Sequence, residues 1–245
     1  FEDGKELPLS EEWRVHEGAG MLPCPQVNFN LQNLPSVLYN AMLYPLAPYS
    51  LSGVVWYQGE SNTGDGYGYQ KKLSQLMSGW RQLWQMPDLP FVVVQLANYM
   101  AASDKPQDSG WSQVREAQRL AVKETDNAAL AVAIDLGEAV DIHPLRKWEV
   151  AQRVAMGFDK LLWNKKLMLY PEVVDVNVSG SDVVLQLDQP LRENGKLYEF
   201  ETAGSDGRFA NAEAIAEGDK IIIKSAVANP TKVRYAWKNN PARVN

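Results

Sequence analysis

Short apolar runs alternate with longer segments of helical period through the middle of the chain, and only short runs remain in its tail. Gly53-Val54-Val55-Trp56-Tyr57 is apolar, β-branched and aromatic, and a polar, glycine-rich loop at 58–68 follows it. Consecutive apolar side chains point to both faces of a sheet, so this run predicts a buried strand. Tyr69, Leu73, Leu76, Trp80, Leu83 and Trp84 then mark one side of an amphipathic helix that stops near Pro87. Phe91 through Leu96 predicts a second buried strand. Residues 111–124 predict a second helix, with Val114, Ala117, Gln118, Ala121 and Val122 on one side. Ala129 through Asp135 reads as a third strand and 145–163 as a third long helix. Three apolar strands, each followed by a helix, predict a parallel sheet covered on both faces.

The two ends differ from this middle. Pro8, Pro23, Pro25, Pro35, Pro45 and Pro48 rule out long helices in residues 1–50, leaving room for a short one near 36–44. In residues 168–245, valines at 173, 174, 176 and 178, the run Val183-Val184-Leu185 with Leu187, and Ile221-Ile222-Ile223 mark short strands. Ser179-Gly180-Ser181, Asn194-Gly195, Gly204-Ser205-Asp206-Gly207 and Gly218-Asp219 separate them, which predicts an antiparallel sheet or small sandwich. A boundary is therefore expected near 167–170. Doubly wound sheets usually have more than three strands. The chain opens on Phe1-Glu2-Asp3-Gly4-Lys5, as if within a strand and turn, so the first strands are expected upstream.

Composition narrows the function classes. With 45% apolar and 22% charged residues the chain can bury a sizeable core. Its net charge of −6 argues against nucleic acid or an anionic membrane as the main partner. The single cysteine, Cys24, excludes an internal disulfide and a cysteine-based zinc site. No apolar run approaches the roughly 18 residues of a membrane span. Eight Trp and ten Tyr are available for the core or for stacking on sugars.

Two histidines, His16 and His143, narrow the acid–base question. His16 lies in a polar stretch with no apolar strand beside it. His143 lies in Asp135-Leu136-Gly137-Glu138-Ala139-Val140-Asp141-Ile142-His143-Pro144, where the third strand ends and a helix begins. Ligand-binding groups of parallel sheets gather at that edge. Asp141 could accept the Nδ1–H of His143, or it could cap the helix, with Pro144 in the first turn. Trp56-Tyr57-Gln58-Gly59-Glu60-Ser61-Asn62 sits at the end of the first strand, hence at the same edge. There Gln58 and Asn62 can donate N–H groups to a developing oxyanion, and Gly59 lets backbone approach a ligand. Ser61 is not in a Gly-x-Ser-x-Gly elbow. Asp135, Glu138, Asp141 and His143 could instead ligate a metal, although one histidine makes a zinc hydrolase a poor fit. A third alternative is a non-catalytic sugar-binding module formed by the β-rich tail and the aromatics.

Together, Trp56–Asn62 and Asp141–Pro144 resemble two sequence blocks of the sialate O-acetylesterase family, which belongs to the SGNH-type hydrolases. Leu38-Tyr39-Asn40-Ala41-Met42, Gln95-Leu96-Ala97-Asn98-Tyr99, Trp111 through Gln118, Val233 through Trp237 and Asn240-Pro241 add to the likeness. The resemblance implies a flavodoxin-like three-layer α/β sheet, incomplete at its N-terminus, and a small antiparallel β-domain. Residues 1–35 would be the end of an inserted β-domain with its connection, 36–167 the hydrolase domain and 168–245 the antiparallel β-domain. The activity implied is removal of O-acetyl groups from sugars such as sialic acids or xylan, without a cofactor and in an extracytoplasmic compartment. His143 would be the base, while Gln58, Gly59, Glu60 and Asn62 would form the active-site floor. Two departures stand out. The family's Gly-Gln-Ser-Asn nucleophile motif does not occur here, which places the serine on an upstream segment. Many SGNH hydrolases space acid and base as Asp-x-x-His, whereas here the spacing is Asp141-x-His143, so Asp141, Asp135 or a carbonyl could orient the imidazole.

Overall fold

The computed structural model describes residues 34–163 and 165–244. The chain forms two compact units, Phe1–Leu46 and Ala47–Asn245. In the first, Tyr39–Leu43 makes a π-helical turn and Tyr44–Leu46 a 3₁₀ turn, so the short helix expected near 36–44 is present in a distorted form. The strands expected in residues 1–20, and His16, lie outside the described residues.

The second unit begins with a three-stranded parallel sheet of order β1-β2-β3, formed by Val54–Trp56, Phe91–Val94 and Ala128–Ala131. Helices α1 (Tyr69–Trp84), α2 (Gly110–Lys123) and α3 (Lys147–Trp163) follow the strands in turn. Side chains alternate across a strand, and β2 uses that period to build two cores. Phe91 and Val93 enter a cluster with Leu73 and Met77 of α1 and Val114 and Ala121 of α2. Val92 and Val94 enter another with Val150, against which Val154 and Phe158 of α3 pack. All four β2 residues are fully buried. Helix, sheet and helix therefore form three layers, as continuous apolar strands require.

Strands β2 and β3 are shorter than their apolar runs. Beyond Val94, the Leu96 N–H donates to the Gln118 side chain at 2.9 Å, which takes it out of the ladder. Beyond Ala131, the Val132 carbonyl accepts from Arg153 at 2.7 Å and a turn closes from Leu136 N–H to Ala133 O. Helix α3 starts at Lys147, not 145, and the Leu145 N–H donates to the Glu138 carboxylate at 3.1 Å.

The tail folds as a curled six-stranded antiparallel sheet. Its order is β4 (Val173–Ser179), β5 (Asp182–Leu187), β8 (Lys220–Lys224), β7 (Phe209–Glu217), β6 (Gly195–Ala203), β9 (Lys232–Tyr235). Strands β4, β5 and β8 are the valine and isoleucine runs. Sequence pattern missed the other three for physical reasons. β7 alternates with alanine at its buried positions, a weak apolar signal, and β6 is interrupted by a bulge between Leu197 and Phe200, with Glu199 at φ 63°. Gly195, expected in a turn, opens β6.

After β9, residues 236–242 run back along the parallel sheet's loop edge. Ser109, the N-cap of α2, donates from its hydroxyl to Asn239 Oδ1 at 2.5 Å. Arg115 of α2 donates to the carbonyls of Ala236 and Lys238. Burial pushes the Arg115 guanidinium down to about 9, so it remains charged at neutral pH. No helix among the described residues is long and apolar enough to cross a membrane.

Candidate active site

Because the three strands are parallel, the segments following them leave from one edge. After β1, Gly59 takes φ 150°, where side chains are strained, and a Cβ there would stand 2.9 Å from a Val114 methyl. The turn brings Gln58 and Asn62 together, Nε2 donating to Oδ1 at 2.9 Å. Tyr69, at the start of α1, hydrogen-bonds the Gln58 carbonyl at 2.9 Å and Gln58 Oε1 at 3.0 Å, and it accepts from Trp56 Nε1 at 3.1 Å. Burial, with Glu60 adding its charge, raises the Tyr69 pKa, so its hydroxyl stays a donor. Glu60 opens a 3₁₀ turn through Asp65, half-buried, and Ser61 is exposed.

Gln118 fastens this turn to β2. From inside the apolar stripe of α2 its amide donates to Gln58 O at 3.1 Å and Val94 O at 3.3 Å, while its oxygen accepts from Leu96 N–H at 2.9 Å. Neither Gln118 nor Tyr69 was singled out from sequence. A glutamine on an otherwise apolar helix face was the available signal, since a buried amide must have partners. Gln118→Ala would leave the Leu96 N–H without its acceptor and take one donor each from Val94 O and Gln58 O, the latter still bonded by Tyr69. We expect a stability loss of about 2 kcal/mol, read as a lower melting temperature.

After β3, residues 135–146 form a loop closed at several points. Gly137 N–H donates to Asn98 Oδ1 at 2.6 Å, and a parallel bridge joins Tyr99 to Glu138. Ile142 packs against the α1–α2 core and Pro144 is buried, so His143 between them is turned outward with its side chain 87% exposed. Asp141 accepts from the His143 backbone N–H at 2.7 Å, and its oxygen lies 3.9 Å from Nδ1. That distance is too long for a hydrogen bond. Asp141 therefore shapes the loop and does not cap α3, which begins six residues later. Asp135 is engaged elsewhere, by Arg153 at 2.5 and 2.7 Å. Burial raises its pKa, but the Arg153 hydrogen bonds and charge outweigh that and hold it below the ordinary range. Glu138, the remaining acid of the alternative metal set, accepts from Leu145 N–H. Each of the three carboxylates thus has a protein partner of its own.

Tyr57, between β1 and the Gln58 turn, packs on the α3 face of the sheet and has Nζ of Lys147, the first residue of α3, 5.0 Å from its ring centroid. Burial, helped by Glu60, raises the Tyr57 pKa. A family model described as carbohydrate esterase, sialic acid-specific acetylesterase, matches residues 16–158, more than half of the chain. The chain belongs to that family. Among its relatives, a mouse sialate O-acetylesterase is 27% identical over 243 residues, covering 89% of this chain and 45% of that protein. A human sialate O-acetylesterase is 29% identical over 235 residues, covering 84% and 44%. The crystal structure of a carbohydrate acetylesterase from Xanthomonas citri superposes with a TM-score of 0.80 at 36% identity, covering 86% of this chain and 51% of that one. The chain thus spans less than half the length of these curated relatives. In this acetylesterase-family chain, the turn at Gln58–Asn62, Asn98, Gln118 and the loop carrying His143 all lie inside the family match; the antiparallel sheet lies beyond it.

Proposed function

We propose that the full-length protein hydrolyses O-acetyl esters of sugars, O-acetylated sialic acids foremost, with His143 as general base and a serine from a segment outside this sequence. The observation that carries it is the shared edge, where parallel strands send the Gln58 turn and the His143 loop to one end of the sheet within the family match. In this scheme the serine hydroxyl attacks the acetyl carbonyl and its proton passes to His143, which returns it to the departing sugar oxygen. Water then attacks the acetyl-serine, its proton again taken by His143 and passed to the serine oxygen as the ester bond breaks, so that acetate leaves and the serine hydroxyl is restored. Asp141, 3.9 Å from Nδ1, is the acid placed beside the imidazole in this scheme. The Gln58 amide has two N–H groups. One is held by Asn62, which leaves the other for the developing oxyanion while Tyr69 fixes the amide plane. Gly59 and Glu60 complete the floor.

An SGNH-type, flavodoxin-like sheet belongs to the same proposal. Strand β1 pairs with β2 alone among the described residues, and Val55 is half exposed, which suits further strands added beside it. An extracytoplasmic site of action is likewise proposed, on the resemblance alone. The decisive experiment measures acetate release by the full-length protein from O-acetylated sialic acid, acetylated xylan and an aryl acetate. Saccharide binding without release from any of the three would overturn the esterase proposal. Gln58→Ala should lower kcat about tenfold or more, since an oriented donor to an oxyanion is lost. A fallen melting temperature with unchanged activity per folded molecule would make Gln58 structural instead.

A further inference from the structure

Asn98 lies between the His143 loop and the C-terminal segment, and both ends of its amide are engaged. Its Oδ1 accepts from Gly137 N–H at 2.6 Å, and its Nδ2 donates to Asn240 Oδ1 at 2.7 Å. Asn240 Nδ2 in turn donates to Met100 O at 2.6 Å. The polarity of this relay is set by the backbone, because the Gly137 N–H can only donate and the Met100 carbonyl can only accept. Only one orientation of each side-chain amide satisfies both. The packing is close as well: a Cβ on Gly137 would fall 1.8 Å from the Asn98 carbonyl oxygen, so the two loops abut without room for a side chain.

From Gly137 the restraint continues toward the imidazole. Glu138, the next residue, is bridged to Tyr99 and accepts from Leu145 N–H at 3.1 Å, which closes the loop two residues past His143. On the other side, Asn240 sits in the segment that Lys238 fastens to the antiparallel sheet, its Nζ 2.7 Å from Glu199 of β6. We infer that Asn98 is a positioning residue for His143, and that through Asn240 the antiparallel sheet sets where the base stands at the edge of the parallel one. The inference rests on His143 being the base. Small displacements of a catalytic group cost disproportionately in rate, so a side chain that never touches substrate can still govern kcat.

The experiment uses the full-length enzyme and an aryl acetate, with kcat, KM and melting temperature measured for each variant. Asn98→Ala should lower kcat about tenfold or more and move KM little. Asn240→Ala, which leaves the Gly137–Asn98 bond in place, should cost less. Asn98→Asp keeps an oxygen for Gly137 N–H and should recover part of the loss. The deciding comparison repeats Asn98→Ala in a His143→Ala background, where a residue acting through the imidazole has nothing left to position and should cost less than about twofold. An equal loss in both backgrounds overturns the positioning role and leaves His143 as base. Activity that merely tracks the folded fraction overturns it too. If Asn98→Ala does not fold, Asn98→Asp and Asn240→Ala in the two backgrounds decide by the same criterion. Full activity in His143→Ala alone overturns both the base assignment and the inference built on it.

Discussion

His143→Ala in the full-length enzyme is expected to lower the rate on an aryl acetate by at least about a hundredfold, because a positioned base contributes roughly 10²–10⁴. The fold should barely notice. The imidazole is 87% exposed, and what Asp141 holds is the backbone N–H, which survives the substitution. Exposed positions of this kind change stability by about 0.5 kcal/mol or less, so activity and melting temperature should separate cleanly. His16→Ala serves as the control and should be close to neutral. Equal losses from the two substitutions would remove His143 from its role.

The second large effect concerns the nucleophile. Residues 1–245 by themselves should not label with a fluorophosphonate serine probe and should not release acetate. The sequence contains no Gly-Gln-Ser-Asn motif, and Ser61, the serine nearest the Gln58 turn in sequence, is exposed in a 3₁₀ turn. Supplying the upstream segment, covalently or as a second chain, should restore both labelling and turnover. Among the described residues β1 pairs with β2 alone and Val55 stands half exposed, so strands supplied by that segment are expected to pair there. Labelling of the isolated chain at Ser61, together with acetate release, would make Ser61 the nucleophile and end the need for a missing one.

The sequence by itself determined the parallel sheet, its three helices and the edge at which the candidate residues gather. These follow from local periodicity. Phe91-Val92-Val93-Val94 has to cover both faces of a sheet, and Tyr69, Leu73, Leu76 and Trp80 recur at three- and four-residue steps along α1. It also singled out both segments of the candidate site, through residue types that suit acid–base work and oxyanion binding at strand ends. Strands β7 and β6 were not legible, because alanine alternation in the one and a bulge in the other weaken the pattern that hydrophobic burial writes into a strand, and β9 is only four residues long.

Only the tertiary structure decided which partner each polar side chain takes. Asp141 was expected to hold the imidazole, to cap α3, or both; it holds the His143 backbone N–H and lies 3.9 Å from Nδ1, while Asp135 belongs to Arg153. Gln118 and Tyr69 read as ordinary helix positions, yet they fix the Gln58 turn. Asn98 and Asn240 stand 142 residues apart in the chain and 2.7 Å apart in space. A hydrogen bond is satisfied within about 3 Å by whichever group the fold delivers there. Hydrophobic period reports burial along one element, but it carries no information about which distant residue arrives beside it.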